Sequence, residues 1–351
     1  MQRLSVAVLG AGGLVAQRLQ QRLANHPWFE LGAVAGSTRY LGVDLDKVPW
    51  ILQDERPSLP SLKVVDASSR STVEALAKAG VSVAFSALPS EEARHLEPMW
   101  VEAGIKVFSN ASTFRRHEGV PFVIPEINPD ALTEQSGGQL RHACATNCTL
   151  LPLILPLAAL HETYGLTGYT MRSEQGLSGG GHAYMEAAIA KGSVESTIPG
   201  EAEKTEAELR HLLGWNGEAN LDCQRVMRRD GHHVFVEATF SKPTNAADLE
   251  QTLATWSQNH RLNHLPSAPY QPLMLASTID VNAHLFADGN GFPTTPDPAQ
   301  ERAPGMAVVV ANLQCLDPNT VAFEAFSHNT IRGAAGGVVL LAELAHSMEL
   351  L

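Results

Sequence analysis

The residues most able to do covalent chemistry converge on one short stretch, His142-Ala143-Cys144-Ala145-Thr146-Asn147-Cys148-Thr149. The apolar run that follows, TLLPLILPLAAL from Thr149 to Leu160, reads as a helix. Cys148 therefore falls at or near a helix N-terminus, where unpaired backbone N–H groups favour an anion and lower a thiol pKa. A thiolate there is a candidate nucleophile toward an acyl carbon. Cys144, Cys223 and Cys315 read as small buried hydrophobes. Four scattered cysteines make neither a disulfide framework nor a paired zinc site, and a reducing cytoplasm is the expected compartment.

A thiolate needs an acid/base partner, and 14 histidines offer too many. His260 and His264 have the i, i+4 spacing of zinc ligands, but the glutamate of HExxH is missing and a proline-containing loop follows, so no metal site is expected. His232 and His233 follow the turn Asp230-Gly231 into a strand, a place from which side chains commonly reach an active site. The residues alone leave this choice open.

A second constellation points to a cofactor. Gly10-Ala11-Gly12-Gly13-Leu14-Val15-Ala16 stands between a strand-like run, Leu4 to Leu9, and a helical pattern through Leu14, Val15, Arg18, Leu19 and Leu23. Such glycines permit a tight turn and close approach of backbone to a pyrophosphate at the helix N-terminus. The second strand, Leu31 to Ala35, ends in Gly36-Ser37-Thr38-Arg39. With no acid for a ribose hydroxyl, and with Ser37, Thr38 and Arg39 able to meet a 2′-phosphate, NADP is the expected cofactor.

The elements that must position these groups alternate up to about residue 150. Helices are expected over Thr72 to Ala79 and Glu91 to Ala103, with strands at Val81 to Ala87 and Ile105 to Phe108. That grammar predicts an α/β fold with a Rossmann-like, doubly wound parallel sheet. Beyond it, strands at Gly168 to Glu174, His233 to Phe240, Met306 to Cys315 and Val321 to Phe326 are interleaved with helices at Glu201 to Leu213 and Ala247 to Gln258. This part reads as an α+β domain with a mixed or antiparallel sheet. Gly337 to Leu351 reads as an apolar helix packing back on the first domain. The expected division of the 351 residues is 1–148 plus 330–351 for cofactor binding, and 149–329 for catalysis and dimerisation. A net charge of −12 argues against a nucleic-acid groove. No apolar run is long enough to span a bilayer, so no membrane partner is expected.

The sequence resembles the aspartate-semialdehyde dehydrogenases, closest to the archaeal and fungal branch. The resemblance runs through nearly the whole chain. It is carried by Gly10–Ala16 with Gln17-Arg18, Ala87-Leu88-Pro89-Ser90, Ser109-Asn110-Ala111-Ser112 with Arg115, and Val123-Ile124-Pro125-Glu126-Ile127-Asn128-Pro129. It continues through Asn147-Cys148, Gln175 with Ser178-Gly179, Asp230-Gly231-His232 and Gly305-Met306, and is most specific in His328-Asn329-Thr330-Ile331-Arg332-Gly333-Ala334-Ala335-Gly336.

The resemblance implies that Cys148 forms an acyl-enzyme thioester, that His232 is the acid/base and that Gln175 orients the acyl group. It implies Arg225 for the substrate α-carboxylate, Glu201 for its amino group, and Arg115 and Lys204 for the phosphate. Cofactor contacts are implied for Gly10, Gly12, Gly13, Leu14, Val15, Ser37, Thr38, Arg39, Ser86, Ser178, Gly179 and Asn329. The implied reaction is NADPH-dependent reductive dephosphorylation of L-aspartyl 4-phosphate, a step toward lysine, threonine and methionine, by a homodimer or homotetramer.

Three stretches depart from the family pattern: His182-Ala183-Tyr184 in place of Tyr-Pro-Gly, Thr149-Leu150 after the cysteine in place of Ser-Thr, and Gln224-Arg225-Val226-Met227-Arg228 in place of Asn-Arg-Val-Pro-Val. They border the acyl pocket. The alternatives are a reductase of another short acyl donor, such as malonyl-CoA, or a non-catalytic nucleotide-binding paralogue.

Overall fold

The structure, a computed structural model, describes residues 3–351. Six parallel strands, β1 (Leu4–Leu9), β2 (Phe29–Gly36), β3 (Val64–Asp66), β4 (Val81–Ser86), β5 (Lys106–Ser109) and β6 (His142–Cys144), form a sheet in the order β3-β2-β1-β4-β5-β6. The direction of winding reverses between β1 and β4, and the crevice outside the strand ends at such a switch is where α/β sheets bind ligands. The apolar strands bury both faces. Val6, Val8, Val83, Phe85 and Phe108 face one cluster with α1 (Leu14–Leu23), whereas Ala7, Leu9, Ala84 and Val107 face another with α2 (Arg70–Lys78) and α3 (Ser90–Glu102). A short helix, α4 (Ala131–Glu134), precedes β6.

The second sheet is mixed, built from β7 (Leu166–Gln175), β8 (Glu218–Arg225), β9 (His232–Phe240), β10 (Leu273–Leu275), β11 (Val308–Cys315) and β12 (Thr320–Ser327) in the order β10-β11-β12-β9-β7-β8. Here alternation does what period-two patterning predicts. Val234, Val236, Ala238 and Phe240 of β9 point to a core shared with α5 (Leu150–Tyr164), α7 (Glu201–Leu213) and α8 (Ala246–Asn259). Glu237 and Thr239 point the other way, onto an open face with a cavity of about 480 Å³ bordered by Arg172, Phe235 and Glu324. A further helix, α6 (His182–Lys191), lies between β7 and α7.

The C-terminal segment turns back as expected. After β12, a π-helical turn (Ile331–Ala335) leads into α9 (Gly336–Ser347), whose Val338, Leu340, Leu341 and Leu344 join the α1 face of the first sheet. β8 escapes the sequence reading because its residues, EANLDCQR, alternate without a strong apolar face at an edge position. Among the described residues no helix is long and apolar enough to cross a membrane.

Candidate functional site

Strand register places three of the expected site residues in one row. Gln175, the last residue of β7, pairs with Arg225 at the end of β8 on one side and with His232 at the start of β9 on the other. Ser327 continues the row on β12, opposite His232. Paired strands lie about 4.8 Å apart, so the sheet alone brings an arginine, an amide and an imidazole together. The expected nucleophile comes from the side of the other sheet. Cys148 follows β6 and precedes α5, and its Sγ lies 3.2 Å from His232 Nε2.

Asn147 sets the pose of Cys148. Its Oδ1 accepts from the backbone N–H groups of Thr149 (2.8 Å) and Leu150 (2.7 Å). Those are N–H groups that the sequence reading assigned to stabilising a thiolate. With them capped, the expected lowering of the thiol pKa is not what the structure gives. Burial raises it first, then the charge of Glu201, against pulls from Lys204, Arg225 and Arg115. The expected acid/base is shifted as well. Burial, and next the Arg225 cation, push the His232 pKa down to about 3, so the ring is neutral. The Gly176 N–H, shared with the Gly231 carbonyl, donates to His232 Nδ1 at 3.2 Å. Nε2, the other ring nitrogen, is aimed at Sγ, so the pair can pass a proton between sulfur and imidazole.

Gly179 keeps this cluster tight. A Cβ there would stand 2.7 Å from Arg225 Nη1 and 3.1 Å from His232 Cε1. Arg225 donates from Nη1 to the Gly176 carbonyl at 2.7 Å, and its guanidinium lies over the Tyr184 ring, 5.8 Å from the centroid. Both residues line a cavity of about 410 Å³. Tyr184 belongs to one of the stretches that depart from the family pattern. Asn329 bridges two loops, donating to Ser178 Oγ at 2.9 Å and accepting from the Gly231 N–H at 2.7 Å.

The expected anion ligands are present but not free. Arg115 pairs with Glu208 (2.6 Å), Lys204 pairs with Glu201, and Glu201 also accepts from Thr149 Oγ1 at 3.0 Å. Sequence reasoning missed Glu208, although its place seven residues after Glu201 puts both on one face of α7. It also missed Gly333, packed against the Cys148 backbone from the π-helical turn.

The glycine-rich loop opens into the same place. Gly10 has φ +106°, a conformation that favours glycine, and a Cβ there would stand 3.0 Å from the Ala87 carbonyl oxygen. Gly13 caps α1, and Gly12 leaves room for the Tyr40 ring. Leu14 and Val15 begin α1, and Val15 lines a cleft of about 280 Å³ together with Ser90, Arg115, Cys148, Lys204 and Gly333. Ser86 ends β4, buried, with an unpartnered hydroxyl. Ser37, Thr38 and Arg39 are exposed at the end of β2, where the Arg39 guanidinium sits over Tyr40 at 5.1 Å. These residues suit a dinucleotide: backbone can approach its pyrophosphate, a helix N-terminus faces it, and a free cation stands where a 2′-phosphate would lie.

Comparison with known proteins agrees with this geometry. Residues 5–135 match the family described as semialdehyde dehydrogenase, NAD binding domain. The aspartate-semialdehyde dehydrogenase of Archaeoglobus fulgidus is 33% identical, over 97% of this chain and 98% of that one. A malonyl CoA reductase (NADP) of Metallosphaera sedula is 28% identical, over 97% of each. The crystal structure of aspartate semialdehyde dehydrogenase with NADP from Candida albicans superposes with a TM-score of 0.77 at 25% identity, covering 100% of both chains. With its doubly wound and mixed sheets and its cysteine–histidine pair at their seam, the chain belongs to the aspartate-semialdehyde dehydrogenase family.

Proposed function

We propose that this chain reduces L-aspartyl 4-phosphate with NADPH to L-aspartate 4-semialdehyde and phosphate, in the service of lysine, threonine and methionine synthesis. The observation that carries this reading is the Cys148–His232 pair at 3.2 Å, with Cys148 in one cleft with the glycine-rich loop's Val15 and the cations Arg115 and Lys204. Residues 1–148 and 330–351 hold the dinucleotide, and residues 149–329 supply most of the acyl site.

Arg225 takes the substrate α-carboxylate and Glu201 its amino group, while Arg115 and Lys204 face the phosphoryl oxygens. His232 Nε2 takes the Cys148 thiol proton, and the thiolate attacks the acyl carbon; the C–O bond to phosphate breaks and a thioester remains. Gln175, beside His232 in the row of strand ends, orients the acyl oxygen. A dinucleotide held by the glycine-rich loop would supply the hydride that reduces the thioester. That thiol proton returns from His232 Nε2 to the sulfur as the C–S bond breaks and the aldehyde forms. Gly10, Gly12, Gly13, Leu14 and Val15 seat the pyrophosphate, Ser37, Thr38 and Arg39 the 2′-phosphate, and Ser86, Ser178, Gly179 and Asn329 the nicotinamide end. The open face of the second sheet, with Arg172, Glu237 and Glu324 around Phe235, supports a homo-oligomer. Four free thiols suit a reducing cytoplasm.

The test runs the reaction backward: aspartate semialdehyde, phosphate and NADP should yield NADPH, and none from folded protein would refute the reading. A second reading, reduction of a short acyl-CoA, is favoured by the altered Tyr184 against Arg225 and by the cavity they share. A panel of short acyl-CoA esters in the same NADP-linked assay separates the two.

A further inference from the structure

Helix α7 presents Glu201, Lys204, Thr205 and Glu208 at spacings of three, four and seven, hence along one face. That face meets the segment carrying the nucleophile. Thr205 Oγ1 accepts from Asn147 Nδ2 at 3.3 Å, and Glu201 holds Thr149. Glu208, only 3% exposed, spans two targets. Its Oε1 accepts from Arg115 Nη1 at 2.6 Å, and its Oε2 lies 3.4 Å from the backbone nitrogen of Asn147, next to Cys148. Arg115 is equally enclosed, 4% exposed, with Nε on the Ala145 carbonyl (2.9 Å) and Nη2 on the Asn110 carbonyl (2.8 Å). Three of its five N–H groups are thus committed, leaving one on each terminal nitrogen for an anion.

We propose that Glu208 is a positioning residue of the phosphate subsite: its buried carboxylate ties the Arg115 guanidinium to the Cys148 loop and offsets that cation's charge, so that phosphate binds beside the nucleophile and still leaves readily. An incoming phosphate meets two cations that are each already paired, Arg115 with Glu208 and Lys204 with Glu201. Two bare cations in the same cleft would hold the anion far more tightly, because a buried guanidinium stripped of its partner is an uncompensated charge that an anion relieves. The internal carboxylates thus preserve the direction of the donors while lowering the affinity. This inference rests on the reading that the cleft beside Cys148 accepts phosphate.

E208Q keeps the shape of the side chain and removes its charge. Two quantities are read: the KM for phosphate in the oxidative direction, and the concentration of inorganic phosphate that half-protects Cys148 from iodoacetamide, which needs no substrate. Both are expected to fall on the order of tenfold. A side chain that only packs would lower kcat and leave phosphate affinity unchanged or weaker, and either of those affinity results overturns the proposal. E208D, which draws the charge back by one methylene, shifts both quantities the same way by less, and keeps the test open should E208Q unfold. On an R115K background the effect of E208Q should shrink, and a gain persisting in full would show that Glu208 does not act through Arg115. Wild-type protein that binds phosphate at Cys148 but does not turn over aspartate semialdehyde would count against the proposed reaction alone.

Discussion

Replacing Gly333 by alanine asks whether the π-helical turn sets the position of Cys148, the proposed nucleophile. A Cβ on Gly333 would stand 2.6 Å from Cys148 Cβ and 2.8 Å from Cys148 Cα. Non-bonded carbons settle at about 3.5–4.0 Å, so roughly 1 Å of relative movement is required. Both contacts lie on or next to the main chain, with no flexible side-chain end to swing aside. Gly333 is not among the positive-φ glycines, so the backbone itself tolerates alanine, and helix propensity favours it by about 1 kcal/mol. Overpacking costs about 1–3 kcal/mol, which leaves a net loss of stability of about 0–2 kcal/mol. Displacing a reacting atom by about 1 Å costs on the order of a hundredfold in rate. The expected signature of G333A is therefore a large fall in kcat with a small fall in the thermal unfolding midpoint. Steady-state kinetics in the NADP-linked assay, with thermal unfolding of the same sample, measures both. In G333A/C148G, which lacks the nearer of the two clashing atoms, part of the stability loss should return. A G333A enzyme with kcat within about twofold of the parent would refute the steric reasoning.

Two further outcomes follow from the cofactor loop and from buried histidines. R39A should raise the KM for NADPH by about tenfold and leave that for NADH nearly unchanged, because an exposed guanidinium that stacks only on Tyr40 is available to a 2′-phosphate; equal losses with both cofactors would contradict the assignment. Acid should destabilise the fold early. Burial is the first cause lowering the pKa of His232, to about 3, and of His26 and His328. The unfolded chain protonates these groups near 6.5 while the folded chain does not, so the stability they contribute is present above that value and is lost as pH falls toward their folded values. Each adds about 1.4 kcal/mol per pH unit within its own window. Urea unfolding midpoints measured between about pH 7 and pH 5 should fall steadily, and a flat profile would remove the basis of this prediction.

The first sheet was legible because its information is local. Leu4 to Leu9, the glycines after it and the amphipathic pattern of α1 lie within a few residues of one another, and the same holds for the helix after Cys148. The polar edge strand β8 was not legible, since a strand defined by its neighbour β7 rather than by its own apolar face leaves no periodic signal. The π-helical turn at Ile331–Ala335 was hidden for a related reason. An apolar, glycine-rich segment fits an α-helix as well as a π turn, and what selects the turn here is close packing on Cys148 through Gly333.

The chemistry of the site divides along the same line. His232 could not be chosen over His233 by spacing, because adjacent residues on a strand point to opposite faces and only the pairing of β9 with β7 and β12 shows which one meets the sulfur. Once that register is known, the Arg225–Gln175–His232 row follows with no further assumption. Electrostatics lies deeper still. The resemblance implied Arg115 and Lys204 as phosphate ligands, yet each is paired with a carboxylate, on Glu208 and Glu201, as Arg332 is with Glu126. Burial then reverses the expected direction for the thiol, and carries the imidazole far below neutrality. Residue types reveal which groups can react, but depth and pairing decide the charge they carry. In this site the resting nucleophile and its partner are both held toward neutrality, and a substrate carboxylate arriving at Arg225 would offset one of the charges that depresses His232. If Arg225 takes the substrate carboxylate as proposed, substrate binding and activation of the Cys148–His232 pair would be coupled through that one guanidinium.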